Sequence, residues 1–63
     1  MGINVMIEAE LIAETDQAWR ITDGDMEDWI PKGLCECSDD DPVIGDVYEF
    51  EVPEWLCLEK GFI

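Results

Sequence analysis

From Asn4 to Glu14 the chain alternates with a period of two. Val5, Ile7, Ala9, Leu11 and Ala13 fall on one face, and Met6, Glu8, Glu10, Ile12 and Glu14 on the other. Alternation of this length argues for a half-buried β-strand. Ala, Leu and Glu are helix formers and make a helix the competitor, but Val5 and Ile7 favour the strand. A strand with one apolar face must find partners to cover it, so the rest of the chain is read for more strands.

They are present. Ala18–Thr22 forms a second short strand, with Trp19 and Ile21 on one face and Arg20 on the other. Thr15-Asp16 turns between the two. Asp23-Gly24-Asp25 turns again, with the side-chain acceptors and positive φ that tight turns need. Met26–Ile30 follows as a third strand, stopped by Pro31, which cannot donate to a ladder. Short connections make a meander the simplest topology for these three. Leu34–Cys37 gives a short fourth strand, and Ser38–Gly45 the longest loop. Asp46–Val52 alternates cleanly, with Tyr48, Phe50 and Val52 inward and Val47, Glu49 and Glu51 outward.

Pro53 suits the first position of a helix, where its missing N–H is no loss. Glu54 then sits at the positive end of the helix dipole, and Gly61 fits a left-handed cap with Phe62 folding back onto Cys57. Pro53–Lys60 is therefore expected to be a two-turn helix that packs Trp55, Leu56 and Leu58 against the sheet. The expected architecture is α+β but mainly β. A small curled antiparallel sheet or partly open barrel of about five strands is closed at one end by a short C-terminal helix. Sixty-three residues make residues 1–63 a single domain, one that buries only about 60% of its extended surface.

Charge is the feature such a fold has to accommodate. Seventeen Asp and Glu stand against three Lys and Arg, with no His, for a net charge of −14. Solubility asks for a net charge of only about 2–8 in a small domain, and the excess repels itself. The surplus points to a positively charged partner. It also argues against direct nucleic-acid binding, which uses Lys and Arg to displace counterions.

The densest carboxylates are Asp23, Asp25, Glu27 and Asp28, beside Trp29 and Ile30; Glu36 and the run Asp39-Asp40-Asp41 add to them. These eight residues are the expected partner-binding site. Glu8 and Glu10, like Glu49 and Glu51, are two apart on one strand face, a separation of about 6.6 Å. Rows of this kind on neighbouring strands would approach the charge density of duplex DNA, one per about 1.7 Å of axis. The partner's Arg and Lys would pair with carboxylates in place of phosphates. At this charge Trp29, half-exposed among the carboxylates, would offer a partner's Arg a face to stack on. The other aromatics read as core.

Competing chemistries fall away. Neither Asp cluster has the calcium-loop spacing of an EF-hand. Cys35-x-Cys37 with Cys57 lacks both the spacing and the fourth ligand of structural zinc, so the three thiols read as small hydrophobes. No metal site and no cofactor is expected. Catalysis is not expected either: there is no His, no nucleophile beside a base and no phosphate loop. No basic region leads into a sustained apolar stretch at the N-terminus, and three is an odd cysteine count. Reduced thiols in a bacterial cytoplasm are the expectation. No apolar run approaches the roughly 20 residues of a membrane span.

Trp29-Ile30-Pro31-Lys32, Val52-Pro53-Glu54-Trp55-Leu56 and Lys60-Gly61 resemble the sequence pattern of a group of small phage and bacterial proteins. The chain departs from it at Gly33, where the group has Ser, and at Cys57, where it has Ala. The resemblance covers about a quarter of the chain and implies a phage or mobile-element origin. In size and charge the chain also resembles the anti-CRISPR proteins that imitate DNA, among them a group that blocks type I-C surveillance complexes. That likeness implies an inhibitor that occupies the positively charged DNA-binding groove of a CRISPR complex, at its PAM or duplex-entry site. It would act as a monomer or weak dimer. The alternative is a non-catalytic phage structural or adaptor domain whose acidity serves solubility and which oligomerises through an edge strand.

Overall fold

β1 (Asn4–Glu14) is the middle strand of the sheet in the computed structural model, which describes residues 2–63. The chain forms β2 (Ala18–Thr22), β3 (Glu27–Pro31), β4 (Glu36–Cys37), β5 (Val47–Pro53) and α1 (Glu54–Lys60). Their order across the sheet is β3-β2-β1-β5-β4, with every neighbouring pair antiparallel. The first three strands make the expected meander. The chain then crosses from one edge to the other, and β5 returns against β1. β3 and β4 do not pair, so the sheet curls without closing. Trp19 of β2 and Phe50 of β5 meet edge to face across the intervening β1, with centroids 5.6 Å apart.

Local chemistry sets the turns. Thr15 Oγ1 accepts the N–H groups of Gln17 and Ala18 at 3.3 and 3.1 Å, closing the β1–β2 connection. Asp23 Oδ1 accepts those of Asp25 and Met26 at 2.9 and 2.8 Å, while Gly24 takes a φ of 103°. An acceptor two and three residues upstream and a residue free of Cβ strain are what this turn requires.

One departure from simple alternation matters. Leu11 pairs with Ile21 but Ala13 pairs with Arg20, so Ile12 is an extra residue in β1. Such a bulge reverses the faces beyond it. Ala13, expected inward, lies opposite outward-facing Arg20. Glu14 lies opposite Trp19, where it meets Lys32, and Lys32 Nζ stands 5.5 Å from the Trp19 ring centre.

The core is formed by Ile7, Ala9, Leu11, Trp19, Ile21, Ile30, Phe50 and Val52 from the strands, with Cys35, Leu56, Cys57 and Phe62 covering them. Cys35, Cys37 and Cys57 are free thiols. Burial, then the neighbouring Cys57, pushes the Cys35 thiol up to about 11. Burial, and to a lesser degree Glu54, also raises Cys57. These thiols pack as apolar groups do.

Pro53 ends β5 opposite Asn4 and caps the helix, which begins one residue later than expected, at Glu54. Gly61 is left-handed at φ 85°, and the N–H groups of Gly61 and Phe62 both reach the Cys57 carbonyl at 2.9 Å. The packing face differs from the expected one. Leu56 and Cys57 are buried, whereas Trp55 and Leu58 are 54% and 60% exposed. With no loop between β5 and α1, and Phe62 seated in the core, the helix has one orientation. It turns Trp55 and Leu58, three residues apart, to the outside together. β3 starts at Glu27, β4 shrinks to two residues and β5 starts at Val47.

Candidate functional site

Antiparallel register decides which carboxylates become neighbours. Residues directly opposite share a face, with strands about 4.8 Å apart. On the outer face Glu36 of β4 stands opposite Glu51 of β5, and Glu51 opposite Met6 of β1. One step along, Glu49 stands opposite Glu8. One step further, Glu10 stands between Val47 and Thr22, and Thr22 opposite Glu27 of β3. The result is a diagonal band: Glu36, Glu51, Glu49, Glu8, Glu10. Two strand spacings and two along-strand steps give it a length of about 16 Å, or about one charge per 3–4 Å. A single strand of duplex DNA carries one per 3.4 Å.

Four of the five members of the band form two directly opposed like-charge pairs, Glu36/Glu51 and Glu8/Glu49. Each such pair destabilises a sheet by about 0.2–1 kcal/mol. Side-chain cations do not relieve them. Arg20 pairs with Glu27 at 2.6 Å, Lys32 with Glu14, and Lys60 with Asp28 at 3.6 Å. Those three are all the Lys and Arg the chain has. Among the described residues, the one side chain that donates to the band is Asn4, whose Nδ2 lies 2.7 Å from Glu51 Oε2.

The eight carboxylates singled out from the sequence divide into several groups. Asp23 and Asp25 sit exposed in the β2–β3 turn. The backbone N–H bonds of Met26 and then Asp25 hold the Asp23 carboxyl below its usual value. Glu27 is outward on β3 and neutralised by Arg20, which also stands 5.6 Å from the Trp29 ring centre. The Trp29 face offered to a partner's Arg is thus taken by the chain's own. Asp28 is opposite Ile21, on the inner face, where it ties β3 to the helix through Lys60. Glu36 joins the band. Asp39, Asp40 and Asp41 lie exposed in the loop beyond β4, folded by an Asp39 Oδ1 bond to the Asp41 N–H at 3.0 Å. That loop is pinned to β5 where Ser38 N–H meets the Glu49 carbonyl at 2.9 Å.

Shallow hollows flank the band. One of about 290 Å³ is lined by Glu8, Glu10, Thr22, Asp23, Gly24 and Val47, so the turn cluster borders one end of the band. Another of about 190 Å³ holds Glu36, Ser38, Glu49 and Glu51, beside the start of the Asp loop. Along-strand spacing gave the Glu8/Glu10 and Glu49/Glu51 rows in the sequence. Their mutual placement depends on β1–β5 register, which no local signal carries. Among the described residues, no three His, Cys, Asp or Glu side chains group so as to hold a metal ion. No helix there is long and apolar enough to cross a membrane.

Compared with protein families, characterised proteins and solved structures, the chain matches none.

Proposed function

We propose that this chain is a non-catalytic inhibitor that imitates DNA: an anti-CRISPR protein of phage or mobile-element origin, acting in the cytoplasm of a bacterial host. Its carboxylate band, bordered by Asp23 and Asp25 at one end and by Glu36 and Asp39–Asp41 at the other, occupies the basic DNA-binding site of a CRISPR surveillance complex, at the PAM or duplex-entry position. The observation that carries this reading is the two pairs of directly opposed glutamates, Glu8/Glu49 and Glu36/Glu51. Solubility is served by charge anywhere on the surface. Opposing like charges across a ladder costs stability, and a partner that supplies the missing cations recovers it.

The adaptor reading, with assembly through an edge strand, finds less support. Met26 and Lys32 bond toward β2, so Glu27, Trp29 and Pro31 present their backbone to the free edge of β3. There the Trp29 N–H is held by Asp28 Oδ1 at 2.7 Å, Pro31 has no N–H, and the Pro31 carbonyl accepts from Leu34 at 3.1 Å. An edge so occupied is a poor template for another strand.

The test is competition between the protein and a PAM-bearing duplex for a purified type I surveillance complex, across a salt series. DNA should be displaced, with apparent affinity falling steeply as salt rises. Failure to displace duplex at low salt, or an affinity indifferent to salt, rules the proposal out.

A further inference from the structure

Helix α1 leaves a second surface unexplained. Trp55 and Leu58 share its outer face and are 54% and 60% exposed. Ile3, 65% exposed, lies beside its first turn, where its carbonyl accepts the Glu54 N–H at 2.7 Å. A tryptophan and two branched aliphatics grouped on a domain this small form an anchor of the kind found at the centre of protein interfaces. The patch adjoins the end of the acidic band: Pro53, just before the helix, is opposite Asn4, and Asn4 donates to Glu51.

Charge selects the occupant. Glu54 and Glu59 flank the patch, and Lys60, the helix's one cation, is committed to Asp28. A second copy would bring another −14 against it, and an anionic bilayer would repel it in the same way. A basic protein surface is attracted to it instead. We infer that the Trp55–Leu58 face docks an apolar ridge flanked by Lys and Arg on a protein partner, adding a salt-resistant anchor to the salt-sensitive band. The inference rests on the proposed reading that the partner is basic.

Two synthetic peptides of equal positive charge separate the two ideas. One is an amphipathic helix with Leu on one face and Lys on the other; its control has every Leu replaced by Gln. The full chain should bind the Leu peptide about tenfold more tightly than the control, the increment of one good apolar anchor. Trp55→Ala and Leu58→Ala should erase that difference while leaving control binding intact. Both positions are exposed, so circular dichroism and melting should show the fold retained. Equal affinity for the two peptides, or a difference that survives Trp55→Ala, overturns the docking face and leaves the acidic band standing. Binding of neither peptide at low salt overturns both. Concentration-dependent dimers in sedimentation that Trp55→Ala abolishes, or uptake by neutral phosphatidylcholine vesicles through Trp55, would assign the face to another occupant and also overturn it.

Discussion

The two halves of the sheet handle the same excess of carboxylates in opposite ways. On the half made of β2, β3 and the helix, charges are matched: Glu27 with Arg20, Asp28 with Lys60, and Glu14 with Lys32 across the end of β1. On the half made of β1, β5 and β4, glutamates face glutamates across the ladder. Among the described residues Glu8, Glu10, Glu49, Glu36 and Glu51 take part in no salt bridge, although Lys32 borders the hollow beside Glu36 and Glu51. A chain with three cations could have spread them over both halves. It places one on β2, one just beyond β3 and one on the helix, each in a salt bridge, and leaves the glutamate band without one.

The largest expected effect breaks this contrast at the level of binding. Changing Glu8, Glu49, Glu36 and Glu51 together to Gln should weaken displacement of DNA from the surveillance complex by about 100-fold or more, because several charge-assisted contacts vanish at once. Changing Glu14 and Glu27 to Gln removes as much carboxylate character per site from the matched half. It should cost about threefold at most, since those groups are already satisfied. Equal losses from the two variants would show that only net charge matters.

The next effect concerns stability of the matched half. Gly61 is left-handed, and a Cβ there would meet Met26 Cε at 2.9 Å. Gly61→Ala should lower stability by about 1–2 kcal/mol, a fall in melting temperature of about 4–8 °C per kcal/mol. Gly24, also at positive φ, has open space around it, so Gly24→Ala meets the backbone strain alone and should cost less. Thermal melts of both variants measure the difference.

On the bare half the sign reverses. Glu8→Gln or Glu49→Gln should raise stability by about 0.2–1 kcal/mol by ending a like-charge opposition. Added salt should raise the melting point of the unaltered protein more than that of either variant. Arg20→Gln or Lys60→Gln on the matched half should lower stability by about 0.2–1 kcal/mol. A stabilised variant that binds less well would be the expected trade between fold and function.

Which half was readable beforehand follows from how each is specified. β1 and β2 follow local alternation and turn chemistry, and both run over the residues their pattern marked. The glutamate rows were legible along each strand for the same reason. Their opposition was not, because β1 and β5 are some forty residues apart in the chain and their register is set by core packing around Phe50 and Val52. The Ile12 bulge and the outward turn of Trp55 and Leu58 are likewise tertiary outcomes. An apolar residue in an amphipathic pattern reads as buried until the partner surface is found to be full. The turn and loop carboxylates stood out because they are dense in sequence, but density along the chain does not say whether a cation waits beside each one. Arg20 waits beside Glu27 and Lys60 beside Asp28; among the described residues, Glu8, Glu10, Glu49 and Glu51 on β1 and β5 take part in no salt bridge.

The smallest effect sharpens the comparison at the turn that borders the two halves. Asp23 has its carboxyl held below the ordinary value of 3.8, chiefly by the Met26 N–H and then by that of Asp25. A carboxyl lowered by folding stabilises the native state at pH values above its unfolded value, and that contribution fades as pH falls through the folded one. The loss therefore lies below pH 3.8. Asp23→Asn keeps an Oδ1 acceptor for the turn but cannot titrate. Its melting temperature should run parallel to that of the unaltered protein at higher pH. Below that point the unaltered protein should fall faster, because the two chains differ only at this turn. Curves that stay parallel to pH 2 would mean that the two N–H bonds serve the charged and neutral oxygen equally. The turn would then be held by geometry alone, and Asp23 would be as free as Asp25 to offer its charge to a partner.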